Sequence, residues 1–517
     1  MSSQKHVTKA AGVVGLATMV TRILGYLRDM VIATAFGARM EADVFFVAFR
    51  IPNMLRRFLG EGALTVTFIP VFVEEHQQGE ERAWKLTNTV MTLLMMLLTA
   101  IVILGMVFMP AIIKVIAPGF DSNPEKFALT VSLTRLCFPY VFFISLAALA
   151  TGVLNSLQHF LAPGLAPAML NVTLIAAVFW LCPLFKNQPV TGLAIGVVAG
   201  GMLQWLFQVP SMVKRGFRYR VSFDYKSPAV QKIGKLLLPT LFGLAIHQIT
   251  VFINTLLASY LQEGSVSYLY YANRVQEFPL GIFCMPVATA VLPTMSAQAA
   301  KGEHDQFLDT LSFALRMVQF VTIPAMIGTI VLRVPITAAL FEYGRFTPAD
   351  TQATAQALLC YMLGLSAIAA SRIIVPVFYS LKDTETPVKC AVAALILSIV
   401  SSLILMKPMQ HNGLALASTL AAFCNMLLLI YALRKRLGPI GWRTIGISTG
   451  KSALASAIMG LCCWPFIAPA YAHEWVLIPA IGVGAAAFII SAWLLKSDEL
   501  VFFTDMVAQR LKRFKRA

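Results

Sequence analysis

Val90-Met91-Thr92-Leu93-Leu94-Met95-Met96-Leu97-Leu98-Thr99-Ala100-Ile101-Val102-Ile103-Leu104-Gly105-Met106-Val107 lies between Lys85 and Lys114 with no charged side chain in the interval. Wound as a helix at about 1.5 Å per residue, such a run matches a hydrocarbon layer roughly 30 Å thick. Comparable apolar runs recur on both sides of it. They predict spans at residues 9–36, 42–75, 84–117, 127–157, 164–184, 190–212, 230–260, 265–297, 306–341, 350–381, 387–407, 412–435, 444–470 and 475–496. The composition agrees: 58% of the 517 residues are hydrophobic and 13% are charged, against roughly 25% charged in a soluble chain. Lipid offers no partner to a bare peptide group, which leaves helices or a closed barrel. Alternating strand-length segments are absent, so the predicted class is an all-α polytopic membrane protein with about fourteen transmembrane helices.

The Lys/Arg pattern orients these spans. Lys214, Arg215, Arg218, Arg220 and Lys226 follow the sixth, and Arg434, Lys435, Arg436 and Arg443 follow the twelfth. Arg510, Lys512, Arg513, Lys515 and Arg516 end the chain. With an even number of spans between them, all three groups face the same side, predicted to be the cytoplasm, with both termini inside. The net charge of +17 is thereby read as positive-inside topology and contact with anionic membrane lipids, not as nucleic-acid binding. The run from Ala10 to Val20 leads straight into Arg22 without a cleavage motif and reads as a retained span. The eight cysteines sit in apolar segments without paired spacing and predict neither disulfide nor metal.

The chain also repeats itself at an offset of about 224 residues. Phe46-Val47-Ala48-Phe49-Arg50-Ile51 aligns with Tyr270-Tyr271-Ala272-Asn273-Arg274-Val275. Ile69-Pro70 then falls on Leu292-Pro293, Gly79-Glu80 on Gly302-Glu303, Ser156-Leu157 on Ser380-Leu381, and Pro163 on Pro387. Each half holds an even number of spans. The halves therefore share one orientation and predict two pseudo-symmetric six-helix lobes, residues 1–222 and 223–437, around a central site. Residues 438–497 hold an additional helix pair. Residues 498–517 read as a basic amphipathic tail on the inner leaflet.

Arginines inside the spans carry the functional reading. A charge at mid-membrane costs roughly 2.5–3.5 kcal/mol on insertion scales. Yet Arg22, Arg28, Arg50, Arg56 and Arg57 fall in the first two spans and Arg274 in the eighth. If three lie deep, the cost is on the order of 8 kcal/mol, which persists where the groups face a wet cavity. Arg22 and Arg28 are separated by roughly 600° of helix, so one stripe holds both only if the helix bends, for instance at Gly25. Asp29, Asp43, Glu61 and Glu277 are the carboxylates within reach in sequence. A cationic cavity predicts anionic cargo, and the planar guanidinium fork suits phosphate. Asn53, Asn254, Gln276 and Tyr271 are candidates for meeting sugar hydroxyls. Arg135, Arg316, Arg333 and Arg372 stand alone and read as packing or interface residues.

Other motifs carry no chemistry. Gly446-Ile447-Ser448-Thr449-Gly450-Lys451-Ser452 is one residue short of a phosphate-binding loop and opens a span instead of following a buried strand. No nucleophile–base constellation and no metal spacing among the histidines is present, so the reading is a transporter with no cofactor. His247 faces either a cavity or the packing.

At this point the sequence resembles a family. Thr21-Arg22-Ile23-Leu24-Gly25-Tyr26-Leu27-Arg28-Asp29, then Ala42-Asp43 through Arg50-Ile51-Pro52-Asn53, Arg56-Arg57 and Glu61-Gly62-Ala63 are similar to the opening of the MurJ (MviN) lipid II flippases of the MOP exporter superfamily. Tyr270-Tyr271-Ala272-Asn273-Arg274 and Phe378-Tyr379-Ser380 through Thr386-Pro387 extend the likeness. The resemblance implies flipping of undecaprenyl-diphosphate-linked peptidoglycan precursor by alternating access, by a monomer. It implies substrate binding by Arg22, Arg28, Arg56 and Arg274, a sensitive aspartate at Asp43, and a lipid-tail groove on spans thirteen and fourteen. Asn53, Glu61 and Glu277 complete the expected binding set. It also implies a sodium site at Asn254, Ser398, Ser402 and Ser418. No carboxylate stands at those four positions, so a cation there would be weakly held, and membrane potential, H+ and Na+ are all candidate drives. A flippase for another polyprenyl-diphosphate oligosaccharide and a membrane glycosyltransferase on the same lipid are the alternatives.

Overall fold

The computed structural model describes residues 2–58, 64–438, 440–467 and 476–505. Among these the regular structure is helical, with no strand. The chain runs through α1 (Ser2–Phe36), α2 (Met40–Phe58), α3 (Leu64–Gln78), α4 (Glu80–Val107), α5 (Met109–Ile116), α6 (Pro124–Cys137) and α7 (Tyr140–Ser156). It continues through α8 (Leu161–Ala176), α9 (Val190–Leu206), α10 (Val209–Val213), α11 (Pro228–Ser259), α12 (Ser265–Pro279), α13 (Met285–Lys301) and α14 (His304–Val331). The last are α15 (Arg333–Phe341), α16 (Pro348–Met362), α17 (Leu365–Ser380), α18 (Glu385–Leu437), α19 (Trp442–Cys463) and α20 (Leu477–Leu494).

Prolines and caps set the breaks. Pro110 sits in the first turn of α5, where its missing N–H costs nothing. Asn123 caps α6 by accepting from the Lys126 N–H, and Thr347 with Asp350 forms a capping box on α16. Residues 42–75 form two helices, α2 and α3, and the expected spans 387–407 and 412–435 are the two arms of α18, which breaks at Gln410, where the backbone is non-helical (φ 51°, ψ −134°). Among the described residues, eight helices or merged helix pairs are long and apolar enough to cross a membrane, or nine if α16 and α17, bent by 43°, make one span. The expected count of about fourteen is not reached by that criterion. One reason is local: α2 carries Glu41, Asp43, Arg50, Arg56 and Arg57, so the residues of functional interest dilute its hydropathy.

The chain divides into two compact units: Met1–Ser267 with Gly344–Phe346, and Tyr268–Tyr343 with Thr347–Ala517. Contacts thus group α11 with the first unit, whereas the repeat-based boundary at 222/223 speaks of sequence correspondence. In unit 1, Phe68, Phe72, Leu86 and Leu149 form a core between α3, α4 and α7. Close helix approach depends on missing side chains: a Cβ at Gly201 of α9 would lie 2.6 Å from the Tyr140 ring, and one at Gly200 2.7 Å from Leu170. In unit 2, Phe320, Met459, Cys463 and Phe488 join α14, α19 and α20. Outward-facing Leu104, Trp180 and Trp493 remain exposed, as lipid-facing side chains do.

Candidate functional site

The site is built on α1 in unit 1. That helix stays regular through Gly25, so Arg22 and Arg28 point in different directions. Arg28 is 9% exposed and Asp29 is fully buried. Arg28 Nε and Nη2 donate to Asp29 Oδ1 at 2.9 and 2.6 Å. Its other arm, Nη1, donates to Asn171 Oδ1 of α8 at 3.0 Å. Asn171 Nδ2 in turn donates to the Thr21 carbonyl at 3.1 Å. Arg28 is therefore packed and partly neutralised, not held in open water as the cavity reading expects. Arg22 is half-buried and makes no hydrogen bond or ion pair among the described residues.

On α2, Arg56 is half-buried and its Nε donates to Asn53 Oδ1 one turn earlier, at 2.9 Å. Glu61 lies outside the described residues. Asp43, at the other end of α2, is 1% exposed. Its carboxylate accepts from the N–H and hydroxyl of Ser267 at 2.9 and 2.7 Å and from the Gly264 N–H at 2.8 Å. Lys126 Nζ stands 3.4 Å away and also lies 4.1 Å from the Phe120 ring centroid. A carboxylate on backbone N–H groups at a helix start is favoured by the exposed donors and the helix dipole. Asp43 and Ser267 are separated by 224 residues, the repeat offset, so equivalent positions of the two halves touch each other.

In unit 2, Arg274 of α12 stands 3.6 Å from Glu277, with side chains 26% and 46% exposed. A pair that exposed contributes little to stability. Tyr271, expected to meet sugars, is fully buried against Phe341 with ring centroids 4.8 Å apart. Gln276 is likewise buried and donates to the Tyr361 carbonyl. Of the proposed cation ligands, Ser398 and Ser402 are buried on α18, and the Ser418 hydroxyl donates to the Leu414 carbonyl at 3.1 Å. Asn254 is half-buried on α11 of unit 1. Among the described residues no group of His, Cys, Asp or Glu is arranged to hold a metal. The His247 side chain lies outside what is described.

Arg135, Arg316 and Arg333 behave as packing residues. Arg135 and Arg333 donate to the Met106 and Ile330 carbonyls, and Arg316 pairs with Glu499 at 3.0 Å. Sequence reasoning missed Asn171, Lys126, Ser267 and Glu499. Ser267 alone was detectable there, by applying the repeat offset to Asp43.

Comparisons with known proteins bear on this arrangement. The family model for "Lipid II flippase MurJ" matches residues 32–482. A probable lipid II flippase MurJ of Vibrio cholerae is 36% identical over 508 residues, covering 95% of this chain and 96% of its own. The lipid II flippase MurJ of Burkholderia cenocepacia is 35% identical over 455 residues, covering 86% and 88%. Among solved structures, a lipid II flippase MurJ in an inward closed conformation aligns with a TM-score of 0.80 at 28% identity, over 96% of this chain and 99% of that one. An inward-facing multidrug resistance MATE family transporter of the MOP superfamily aligns with a TM-score of 0.67 at 16% identity, over 81% and 95%, a likeness of fold alone.

Proposed function

The chain belongs to the MurJ lipid II flippase family, and from that premise we propose which of its residues handle the cargo and how the cycle is driven. It is a multi-pass membrane transporter and not an enzyme, it acts on lipid II, and it works in the bacterial inner membrane.

The observation that carries the proposal is Arg22: a half-buried guanidinium on α1 with no protein partner among the described residues. A cation left unneutralised in such a setting is costly unless it meets an anion from outside. Arg22 takes that anion, the diphosphate of lipid II, through paired N–H···O bonds. Arg28, already oriented by Asp29, and Arg56, held by Asn53, supply further donors. Arg274, next to Glu277, is a further cation for the cargo. Because Arg28 and Arg56 are partly satisfied within the protein, the grip on phosphate stays moderate, and release on the far side remains fast.

The protein works as a monomer, with lobes 1–222 and 223–437 alternating access, the 438–497 pair guiding the undecaprenyl tail, and both termini in the cytoplasm beside anionic lipid. The neutral hydroxyls of Ser398, Ser402 and Ser418, with Asn254 as the fourth position the family likeness implies, hold at most a weak cation. Membrane potential, H+ or Na+ drives the cycle. Reconstitution in liposomes of imposed potential, pH and sodium gradients separates the three. In the same assay Arg22→Ala is expected to abolish lipid II flipping, and wild-type flipping by that variant removes Arg22 from the site.

A further inference from the structure

A guanidinium grips a diphosphate well only if its plane is held, because the paired bonds depend on direction. Arg28 is held from two sides. Asp29, its chain neighbour, takes Nε and Nη2 at 2.9 and 2.6 Å. A neighbour on the same helix moves with it and does not fix its angle to the rest of the protein. The second hold comes from another helix: Asn171 of α8 accepts from Nη1 at 3.0 Å.

Asn171 is itself fixed. Its Nδ2 donates to the Thr21 carbonyl at 3.1 Å. Arginine offers only donors and a carbonyl only accepts, so one orientation of the amide satisfies both contacts. The residue is 6% exposed. α8 approaches α1 closely here, since a Cβ on Gly164 would fall 2.9 Å from that of Ala17. The amide has a property no other side chain of its size shares. Aspartate would place a second carboxylate beside Arg28, leaving the cluster net negative towards phosphate, and would lose the donor to Thr21. Leucine would fill the volume but leave both Nη1 and the carbonyl without this partner.

We infer that Asn171 is a positioning residue for the lipid II headgroup: it fixes the plane of the Arg28 guanidinium without neutralising it. The inference rests on the reading of Arg28 as a diphosphate ligand, so the test includes Arg28→Ala. Full-length protein in nanodiscs is titrated with lipid II and, in parallel, melted thermally. Asn171→Leu is expected to weaken lipid II binding about 10-fold, the effect of one lost bond to a charged group, and Asn171→Asp by about the same factor, through the second carboxylate it brings to Arg28. The double variant Asp29→Asn with Asn171→Asp restores one carboxylate and one amide around the guanidinium, in exchanged places. It is expected to recover binding to within about threefold of wild type, which corresponds to under 1 kcal/mol. A residue that merely staples α8 to α1 would lower the melting temperature, leave binding by the folded protein unchanged, and gain nothing from the exchange. If Asn171→Leu does not accumulate, the near-isosteric Asn171→Asp decides. Wild-type binding by the Asn171 variants, with binding lost in Arg28→Ala, overturns the role of Asn171. Wild-type binding by Arg28→Ala removes the reading of Arg28 beneath it, and this inference with it.

Discussion

Arg22, Arg28 and Arg274 share a side-chain type and differ in what surrounds them. Arg28 is held by Asp29 and Asn171, Arg274 leans on a half-exposed Glu277, and Arg22 has no such partner among the described residues. The Arg274–Glu277 pair, with side chains 26% and 46% exposed, contributes little to the fold. Arg274→Ala is therefore expected to abolish complementation of a depleted strain while the protein accumulates normally, and normal growth would take Arg274 out of the site. Asp43 is the opposite case. Its carboxylate answers two N–H groups, a hydroxyl and Lys126 in a buried pocket. Asp43→Asn leaves Lys126 buried without its counter-charge, at a cost of about 3 kcal/mol. Thermal unfolding in detergent should show that loss, and Asp43→Asn combined with Lys126→Met should recover part of it. Equal melting of the single and double variants would mean that the pair contributes nothing.

At the scale of elements, the helical stretch 498–505 differs from the expected surface tail. Glu499 is 2% exposed. It accepts from Arg316 of α14 at 3.0 Å, Ser448 of α19 at 2.8 Å and Ser497 at 2.7 Å. Phe502 and Phe503 pack on Phe313 and Phe320, with ring centroids 5.0 and 6.1 Å apart. The start of the tail is thus docked into unit 2, and residues 506–517 lie outside those described. Burial alone would push the Glu499 carboxyl up. The Ser497 and Ser448 hydroxyls, a backbone N–H and Arg316 outweigh it, so the group ends below the ordinary glutamate range. A carboxyl lowered on folding contributes stability that is complete above its unfolded value, about 4.3, and is lost as pH falls through the folded value. Glu499→Gln is expected to cost about 3 kcal/mol at neutral pH. The gap from wild type should close as the pH is taken below about 4. A gap independent of pH would assign the effect to packing. The basic residues of 510–516 were legible as charge, whereas the docking of Glu499 was not, because two of its partners, Arg316 and Ser448, come from distant segments.

For the whole molecule, the family and the repeat point to one cargo crossing between leaflets. Depleting the protein in cells should leave lipid II in the cytoplasmic leaflet, out of reach of a periplasmic probe. Unchanged periplasmic labelling after depletion would mean that another route carries the flux. Two compact units are present, and the contact of Asp43 with Ser267 joins positions 224 residues apart. That separation is the offset between the two copies in the sequence, so the N-terminal turns of α2 and α12 correspond both in the repeat and in this contact.

By itself the sequence determined the helical membrane class, the repeat, the cationic character of the first spans and the family, because these follow from hydropathy, spacing and short motifs. Only the tertiary structure decided which arginine is partnered, that α2 and α3 divide one expected span, and that Asn171, Lys126 and Glu499 matter. The physical reason is that the energy of a buried charge depends on groups brought within about 3 Å by packing. Those groups lie on other helices, at separations that no local pattern in the chain records.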